Sequence, residues 1–201
     1  YHDERLIDYA KSLGKKVIIE AFSHPAYLKK MRNEGIKFDS DNEKSDDHSV
    51  PCYEKSDMII SPSFWVSQNL SYAGLPESKV KLVHYGVHKQ PNKSYVTGKK
   101  LKIVFAGGLK RTKGVLDLLE AVGKLDPETV ELNVFGRIHN NIAKELNVLI
   151  HDKKNIHIKG FSNNIIEEYK SGDLYVYPTY FEGSSKTVFE AMSCGLAVIT
   201  T

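Results

Sequence analysis

Cysteine is scarce in this chain. Cys52 and Cys194 are the only two in 201 residues. They lie far apart, with neither the spacing of a metal site nor that of a redox pair, which excludes a disulfide framework and a thiolate-built zinc centre. That usage fits a reducing cytoplasm. Charge of one sign is lacking too: 28 Lys and Arg against 25 Asp and Glu give a net charge of +3. The lysines are spread along the chain rather than gathered in a stripe, so nothing argues for nucleic acid. No apolar run approaches the roughly eighteen residues of a membrane span. The opening YHDERLIDYAKSLGKK is too polar for a signal peptide. Internal repeats and low-complexity tracts are missing as well. What remains, 41% hydrophobic and 26% charged residues, describes a globular protein with enough apolar mass for a core.

That apolar mass is arranged in short β-branched runs alternating with amphipathic stretches, the pattern of parallel βαβ units. Strands are expected at 17–19, 58–60 and 80–83, with helices over 4–13 and 63–74 ending at Gly14 and Gly74. The acidic stretch DSDNEKSDDH at 39–48 reads as a mobile loop. Its Asp39, Asp41 and Glu43 suggest a calcium loop, but Lys44 stands where Gly is needed and Val50 where the bidentate Glu is needed. Residues 86–100, GVHKQPNKSYVTGKK, read as an interdomain linker. Alternation then restarts, with strands expected at 101–106, 130–135, 155–159, 173–177 and 196–200. Helices are expected near 112–124, 140–150, 162–170 and 185–194. Val115, Leu118, Leu119 and Val122 form one apolar stripe and belong to the core. The fold class is therefore α/β, as parts of two Rossmann-like parallel-sheet domains. The first covers 1–88, a linker 89–100 and the second 101–201. The start at Tyr1 and the stop after an apolar strand read as an internal piece of a longer protein.

The densest chemistry lies near the end of the chain. Glu182-Gly183-Ser184-Ser185-Lys186-Thr187-Val188-Phe189-Glu190-Ala191-Met192 sets two carboxylates around a Gly/Ser turn and a helix start, and Cys194-Gly195 leads into an apolar strand. A helix opening near Ser185 presents unpaired backbone N–H groups to an anion. Glu182 stands beside that site, and Glu190 about a turn and a half along the helix. A ligand carrying a diphosphate between two polyhydroxylated parts suits this layout, and a nucleotide-sugar is such a ligand. The plainer alternative is an amphipathic helix with Val188, Phe189 and Met192 inward and Glu190 in water.

Four other loops sit where α/β proteins bind ligands, after strand ends. Gly107-Gly108 allows close approach of a ligand to backbone, and Lys113 precedes a helix. A cation there would stabilise a departing diphosphate more than the bound substrate. The loop lacks the eight-residue Gly-to-Gly-Lys-Ser/Thr spacing of a P-loop. Gly136-Arg137 and Gly160-Phe161-Ser162 close two further strands. His24, in Glu20-Ala21-Phe22-Ser23-His24-Pro25, follows the first strand and either meets a sugar hydroxyl or caps a turn. Tyr180 and Phe181, just before Glu182, either line the sugar pocket or, as aromatics there more often do, belong to the core.

At these residues the chain resembles the retaining glycosyltransferases of family 4, which have the GT-B fold. The resemblance rests on Glu182, Glu190, Ala191-Met192, Cys194-Gly195 and the Val198-Ile199 strand. Upstream it extends through Asp57 to Ser63, Lys79 to Val87, Phe105 to Gly114, Val134-Phe135-Gly136, Ile158 to Phe161 and Asp173 to Pro178, or roughly residues 15–201. It implies that Glu182 contacts the transferred sugar and Glu190 the nucleotide ribose. The diphosphate is held by the amides of Ser185, Lys186 and Thr187 beyond Gly183 and Ser184. His24 faces the sugar, Lys113 carries the phosphate-side charge, and the base sits near Gly136, Arg137, Gly160 and Phe161. The family has an Arg where this chain has Gly108, and Arg111 in the same loop is the candidate replacement.

The resemblance implies transfer of a hexose or similar sugar from a UDP- or GDP-linked donor to a sugar or lipid-linked hydroxyl with retention of configuration. No metal or other cofactor is required, and no enzyme nucleophile. Cell-surface polysaccharide or glycolipid synthesis at the inner face of the plasma membrane, with peripheral membrane association, is the implied setting. Glycosidase-type chemistry needs two carboxyls about 5 Å apart, and eight residues of turn and helix separate Glu182 from Glu190 by roughly twice that. Three alternatives stay open: a nucleotide-sugar-binding fragment or degenerate transferase without turnover, an epimerase, and a phosphorylase, for which no pyridoxal-binding Lys can be placed.

Overall fold

The computed structural model describes residues 3–21, 49–91 and 100–201. His24, the acidic stretch at 39–48 and most of the expected linker lie outside the described residues. Two compact units are present. The first comprises Tyr1–Tyr85 with Glu182–Ser184, and the second Gly86–Phe181 with Ser185–Thr201.

The first unit is built on a three-stranded parallel sheet of order β1-β2-β3, with β1 at Ile18–Glu20, β2 at Met58–Ser61 and β3 at Val80–Leu82. Helix α1, Glu4–Ser12, opens on Asp3, whose side chain accepts from Arg5 N at 3.0 Å, and is followed by Gly14 at φ +68°. A short helix α2, Val50–Lys55, follows the acidic stretch. Sequence alone misses it, because Pro51 and the polar run before it read as loop although proline is at home in a first helical turn. Helix α3, Phe64–Tyr72, is capped by Ser63 Oγ, which accepts from Val66 N at 3.1 Å, and Gly74 beyond it has φ +89°. Both glycines sit where left-handed backbone ends a helix. Ala21, Tyr53, Ile59, Val66, Leu70 and Leu75 form the core.

The second unit carries a five-stranded parallel sheet of order β6-β5-β4-β7-β8. Its strands are β4 Leu101–Ala106, β5 Val130–Phe135, β6 Ile156–Gly160, β7 Leu174–Tyr177 and β8 Ala197–Thr200. The helices are α4 Val115–Val122, α5 Ala143–Ile150, α6 Ile165–Ser171 and α7 Lys186–Ser193. Strand β4 lies at the centre, with Ile103, Val104, Phe105 and Ala106 all buried. The chain winds outward through β5 and β6, then returns to the other side of β4 for β7 and β8. Strand order thus reverses between β4 and β7, the place where open parallel sheets leave a crevice beyond their carboxyl ends. Val115, Leu118, Leu119 and Val122 are buried as one stripe. One detail differs from expectation. The 112–124 segment opens as a 3-10 turn, Arg111–Lys113, before Gly114 at φ +64° restarts the chain as α4.

The two sheets share one device. An Asp immediately before a strand reaches sideways to the start of its neighbour. Asp57 Oδ2 accepts from Val17 N at 2.8 Å, and Asp57 N donates to Val17 O at 2.9 Å. Asp173 Oδ2 accepts from Lys102 N at 3.0 Å, and Asp173 N donates to Lys102 O at 2.8 Å. Each carboxylate satisfies a backbone donor that the parallel ladder leaves over.

The Val17 amide first, then the Lys11 and Lys16 ammonium groups, hold the Asp57 carboxyl below its ordinary 3.8. Its stabilisation is therefore present above that value and lost as pH falls through the lower, folded-state value. The melting-temperature gap between wild type and Asp57→Asn is expected to be largest near neutrality and to close as pH falls below the ordinary carboxylate value. Gly114 gives a second test, since a Cβ there would sit 1.8 Å from Pro178 O in left-handed backbone. Gly114→Ala should cost on the order of 2–4 kcal/mol in urea unfolding. Gly14→Ala, also left-handed but with open space around the Cβ, should cost about 1 kcal/mol.

Candidate functional site

At the carboxyl ends of β4 and β5 two loops run side by side. Gly107 N donates to Phe135 O at 3.0 Å, Leu109 N to Arg137 O at 3.0 Å, and His139 N to Leu109 O at 3.1 Å. Between those bonds Gly136 adopts φ +141°, where a Cβ would lie 1.8 Å from Gly107 O. Only glycine permits that approach. Gly136 N in turn donates to Gly160 O at 2.8 Å, so the ends of β4, β5 and β6 form one floor.

Over this floor lies a cavity of about 450 Å³. Its walls come from Gly107 and Gly108, Gly136 and Arg137, Phe161 through Tyr169, and Thr187 with Glu190. Four segments distant in sequence therefore meet, and each carries residues expected from the sequence to be site residues. The Arg137 guanidinium stands over the Phe161 ring, 5.4 Å from its centroid, a cation–π pair at the rim. Ser162, from the expected Gly160-Phe161-Ser162 loop, also lines the cavity, as do Ile165 and Tyr169, which were not anticipated. Ile165 and Tyr169 are one turn apart on an amphipathic helix, and that spacing cannot distinguish a cavity wall from core.

Helix α7 begins as expected, with Ser185 as N-cap. The Ser185 side chain does not cap the helix. Its Oγ lies 2.9 Å from Thr187 Oγ1, which lies 2.8 Å from the Tyr175 hydroxyl. The Tyr175 hydroxyl also donates to Ala106 O at 2.9 Å. This chain of hydroxyls ties the helix start to the end of β4. Ala191 is buried, Val188 packs against the core and Met192 is 57% exposed, so of the alternative Val188–Phe189–Met192 stripe Met192 does not face inward. Glu190 has a side chain only 21% exposed, with Lys186 Nζ 3.8 Å from its Oε1. These two residues also line a second cavity of about 480 Å³ with Gly86, Val87 and His88.

Lys113 is fixed by the turn after β7. Tyr180 N donates to Thr112 O at 2.9 Å, Thr179 Oγ1 lies 3.0 Å from the same carbonyl, and Lys113 Nζ donates to Phe181 O at 3.0 Å. The residue after Phe181 in sequence is Glu182. Tyr180, expected in the core, is instead 51% exposed and donates to Asp117 Oδ1 at 3.1 Å. Arg111 is not among the cavity's described lining residues, and its guanidinium pairs with Glu145 of α5. Glu182, Gly183 and Ser184 cluster with the first unit, where Ser63 Oγ donates to Gly183 O at 2.6 Å. There burial, then the Glu20 carboxylate, then that of Glu182 push the Tyr85 phenol up to about 12. Among the described residues no group of three or more His, Cys, Asp or Glu is placed to hold a metal ion, and no helix is long and apolar enough to cross a membrane.

Comparison with known proteins agrees with this arrangement. The family model of glycosyl transferases group 1 matches residues 100–201. Among curated relatives, the N,N'-diacetylbacillosaminyl-diphospho-undecaprenol alpha-1,3-N-acetylgalactosaminyltransferase of Campylobacter jejuni is 30% identical over 89 residues, 44% of this chain and 23% of that protein. Sucrose synthase 1 of Tulipa gesneriana is 25% identical over 190 residues, 77% of this chain and 23% of that protein. The chain thus spans about a quarter of the length of either relative. Among solved structures, Anabaena Alr3699/HepE, determined with UDP and glucose, superposes with a TM-score of 0.79 at 15% identity, over 96% of this chain and 55% of that one. WaaG, a glycosyltransferase of lipopolysaccharide biosynthesis, gives a TM-score of 0.73 at 15% identity, over 97% and 62%. The fold is that of the GT-B glycosyltransferases, of which the chain covers rather more than half. With the family model matching the whole five-stranded unit, the chain belongs to the glycosyl transferases group 1 family.

Proposed function

We propose that this chain carries the nucleotide-sugar site of a retaining glycosyltransferase. The observation that supports the reading best is the single cavity that joins Gly107, Gly108, Gly136, Arg137, Phe161, Thr187 and Glu190. The diphosphate lies against the first amides of α7 and the glycines of the β4 loop, where backbone donors and the helix dipole favour negative charge. Glu190 accepts hydrogen bonds from the ribose hydroxyls. Arg137 and Phe161, beside Gly136 and Gly160, take the base, which is uracil or guanine. Alr3699/HepE, similar in fold, was solved with UDP, which favours the uridine donor.

In the transfer step the bond between the anomeric carbon and the distal phosphate oxygen breaks. The acceptor oxygen bonds to that carbon on the same face, and its proton passes to the departing phosphate. No enzyme nucleophile and no metal is required. Lys113 supplies positive charge as the diphosphate leaves, Glu182 holds the transferred sugar through its hydroxyls, and His24 meets the same sugar. Ser184, Ser185 and Lys186 complete the phosphate side. The acceptor is a sugar or lipid-linked hydroxyl, in cell-surface polysaccharide or glycolipid synthesis at the cytoplasmic face of a membrane.

A second reading, nucleotide-sugar binding without turnover, is favoured by one observation. With Gly108 side-chain-free and Arg111 paired to Glu145, Arg137 is the only cation among the cavity's described lining residues.

Calorimetry and thermal shift with UDP, GDP and ADP test the site. One diphosphate should stabilise the chain, and Glu190→Ala should weaken it at least tenfold, about 1.4 kcal/mol. A folded wild type indifferent to all three overturns the site. Release of nucleoside diphosphate from its sugar conjugate separates the two readings, whereas an epimerase would yield a new nucleotide-sugar. Lys113→Ala should lower turnover on the order of 10²–10³-fold, the cost of removing one preorganised charge-stabilising donor. Arg111→Ala should leave turnover unchanged; a loss above tenfold would return Arg111 to the mechanism.

A further inference from the structure

Helix α6 contributes a side chain to the cavity that the proposed reading leaves without work. Tyr169 is 0% exposed, and although the Tyr175 phenol stands close to its hydroxyl, that hydroxyl makes no hydrogen bond of ordinary geometry among the described residues. Its ring meets that of Tyr175 edge-on, with centroids 5.5 Å apart. The Tyr175 hydroxyl is already committed to Ala106 and Thr187. A buried phenol without a partner costs about 1–3 kcal/mol, and a Phe in its place would avoid that cost. Yet Tyr169 lines the same cavity as Glu190 and Thr187.

The two polar groups on this wall are complementary. A carboxylate only accepts hydrogen bonds, whereas a neutral phenol has a proton to give. A group satisfied by both must donate and accept at once, as an alcohol does and as a carbonyl or phosphate oxygen does not. We propose that Tyr169 is a ligand-binding residue of this site. Its hydroxyl donates to a sugar hydroxyl of the bound nucleotide while that hydroxyl donates to Glu190. The inference rests on the nucleotide-sugar reading above and adds to it the residue that makes the wall selective for an alcohol. Burial, and next the Tyr175 phenol and the Glu190 carboxylate, keep Tyr169 far above the usual range for a phenol, so the proton is present at any working pH. A buried donor left for a ligand makes Tyr169 a place where stability is given up for recognition.

The test is calorimetry on wild type and Tyr169→Phe with UDP and GDP, each against its 2′,3′-dideoxy analogue, alongside melting temperatures. Wild type should prefer the parent nucleotide to the dideoxy form. Tyr169→Phe should bind the parent about three- to tenfold more weakly, the value of one hydrogen bond. It should discriminate less between the two forms and melt no lower than wild type. A purely structural phenol would give the opposite signature, a lower melting temperature with discrimination intact. Unchanged affinity of Tyr169→Phe for the parent nucleotide, or equal binding of parent and dideoxy forms by wild type, overturns this inference while leaving the nucleotide site standing. Wild type that binds neither UDP nor GDP overturns both.

Discussion

The second unit depends on a place where two backbones touch. Gly136 lies against the carbonyl of Gly107 with no room for a Cβ, and its φ of +141° is open only to glycine. That contact lets the loops after β4 and β5 run parallel beyond the sheet, joined by the bonds from Gly107, Leu109 and His139. Without it the loops would splay, and the floor linking β4, β5 and β6 would open. At Gly107 a Cβ would in turn come within 3.2 Å of the Tyr177 ring. The glycines therefore shape the cavity by letting its walls come together.

A second close approach orders the other side of the unit. Gly114 packs under the carbonyl of Pro178, and Thr112 O is met by Tyr180 N and Thr179 Oγ1. These contacts tie the turn bearing Lys113 to the segment that leads into Glu182. The turn bearing Lys113 and the end of the segment at Phe181 are thus fixed to each other within the second unit, although about seventy positions separate them in sequence. Precision of this kind needs rigid elements rather than long loops. The Arg111–Glu145 pair belongs to the same scaffold, since it ties the turn's outer side to α5.

Much of this was legible in the chain itself. The alternation of apolar runs and amphipathic stretches marks all eight strands to within a residue or two, because parallel strands buried on both faces leave uninterrupted β-branched runs. Gly14 and Gly74 mark helix ends because their backbone is left-handed, whereas Gly114, expected inside a helix, breaks it instead. The N-cap at Ser185 was visible from the Gly/Ser turn before it. Tyr169 was not legible. Its position on α6 has helical spacing, and only the fold shows that the ring is covered while the hydroxyl is left without a partner. Tyr180 fails in the opposite direction. An aromatic beside a Pro-Thr turn reads as core, yet its hydroxyl reaches Asp117 and keeps the ring at the surface.

The charge of the cavity bears on why such a site would turn over. A wall crowded with cations would hold a diphosphate equally well before and after its sugar departs, which strengthens binding without speeding reaction. The described walls instead offer glycine backbone, a helix start and one guanidinium that already stands over an aromatic ring. Glu190 adds negative charge, tempered by Lys186 at 3.8 Å. On the proposed reading such a site would grip by shape and by hydrogen bonds to neutral hydroxyls, with most of the positive charge left to Lys113, whose ammonium group is held by the carbonyl of Phe181. Gly108 would then be less a missing cation than part of an arrangement that keeps ground-state binding modest and leaves differential stabilisation to Lys113.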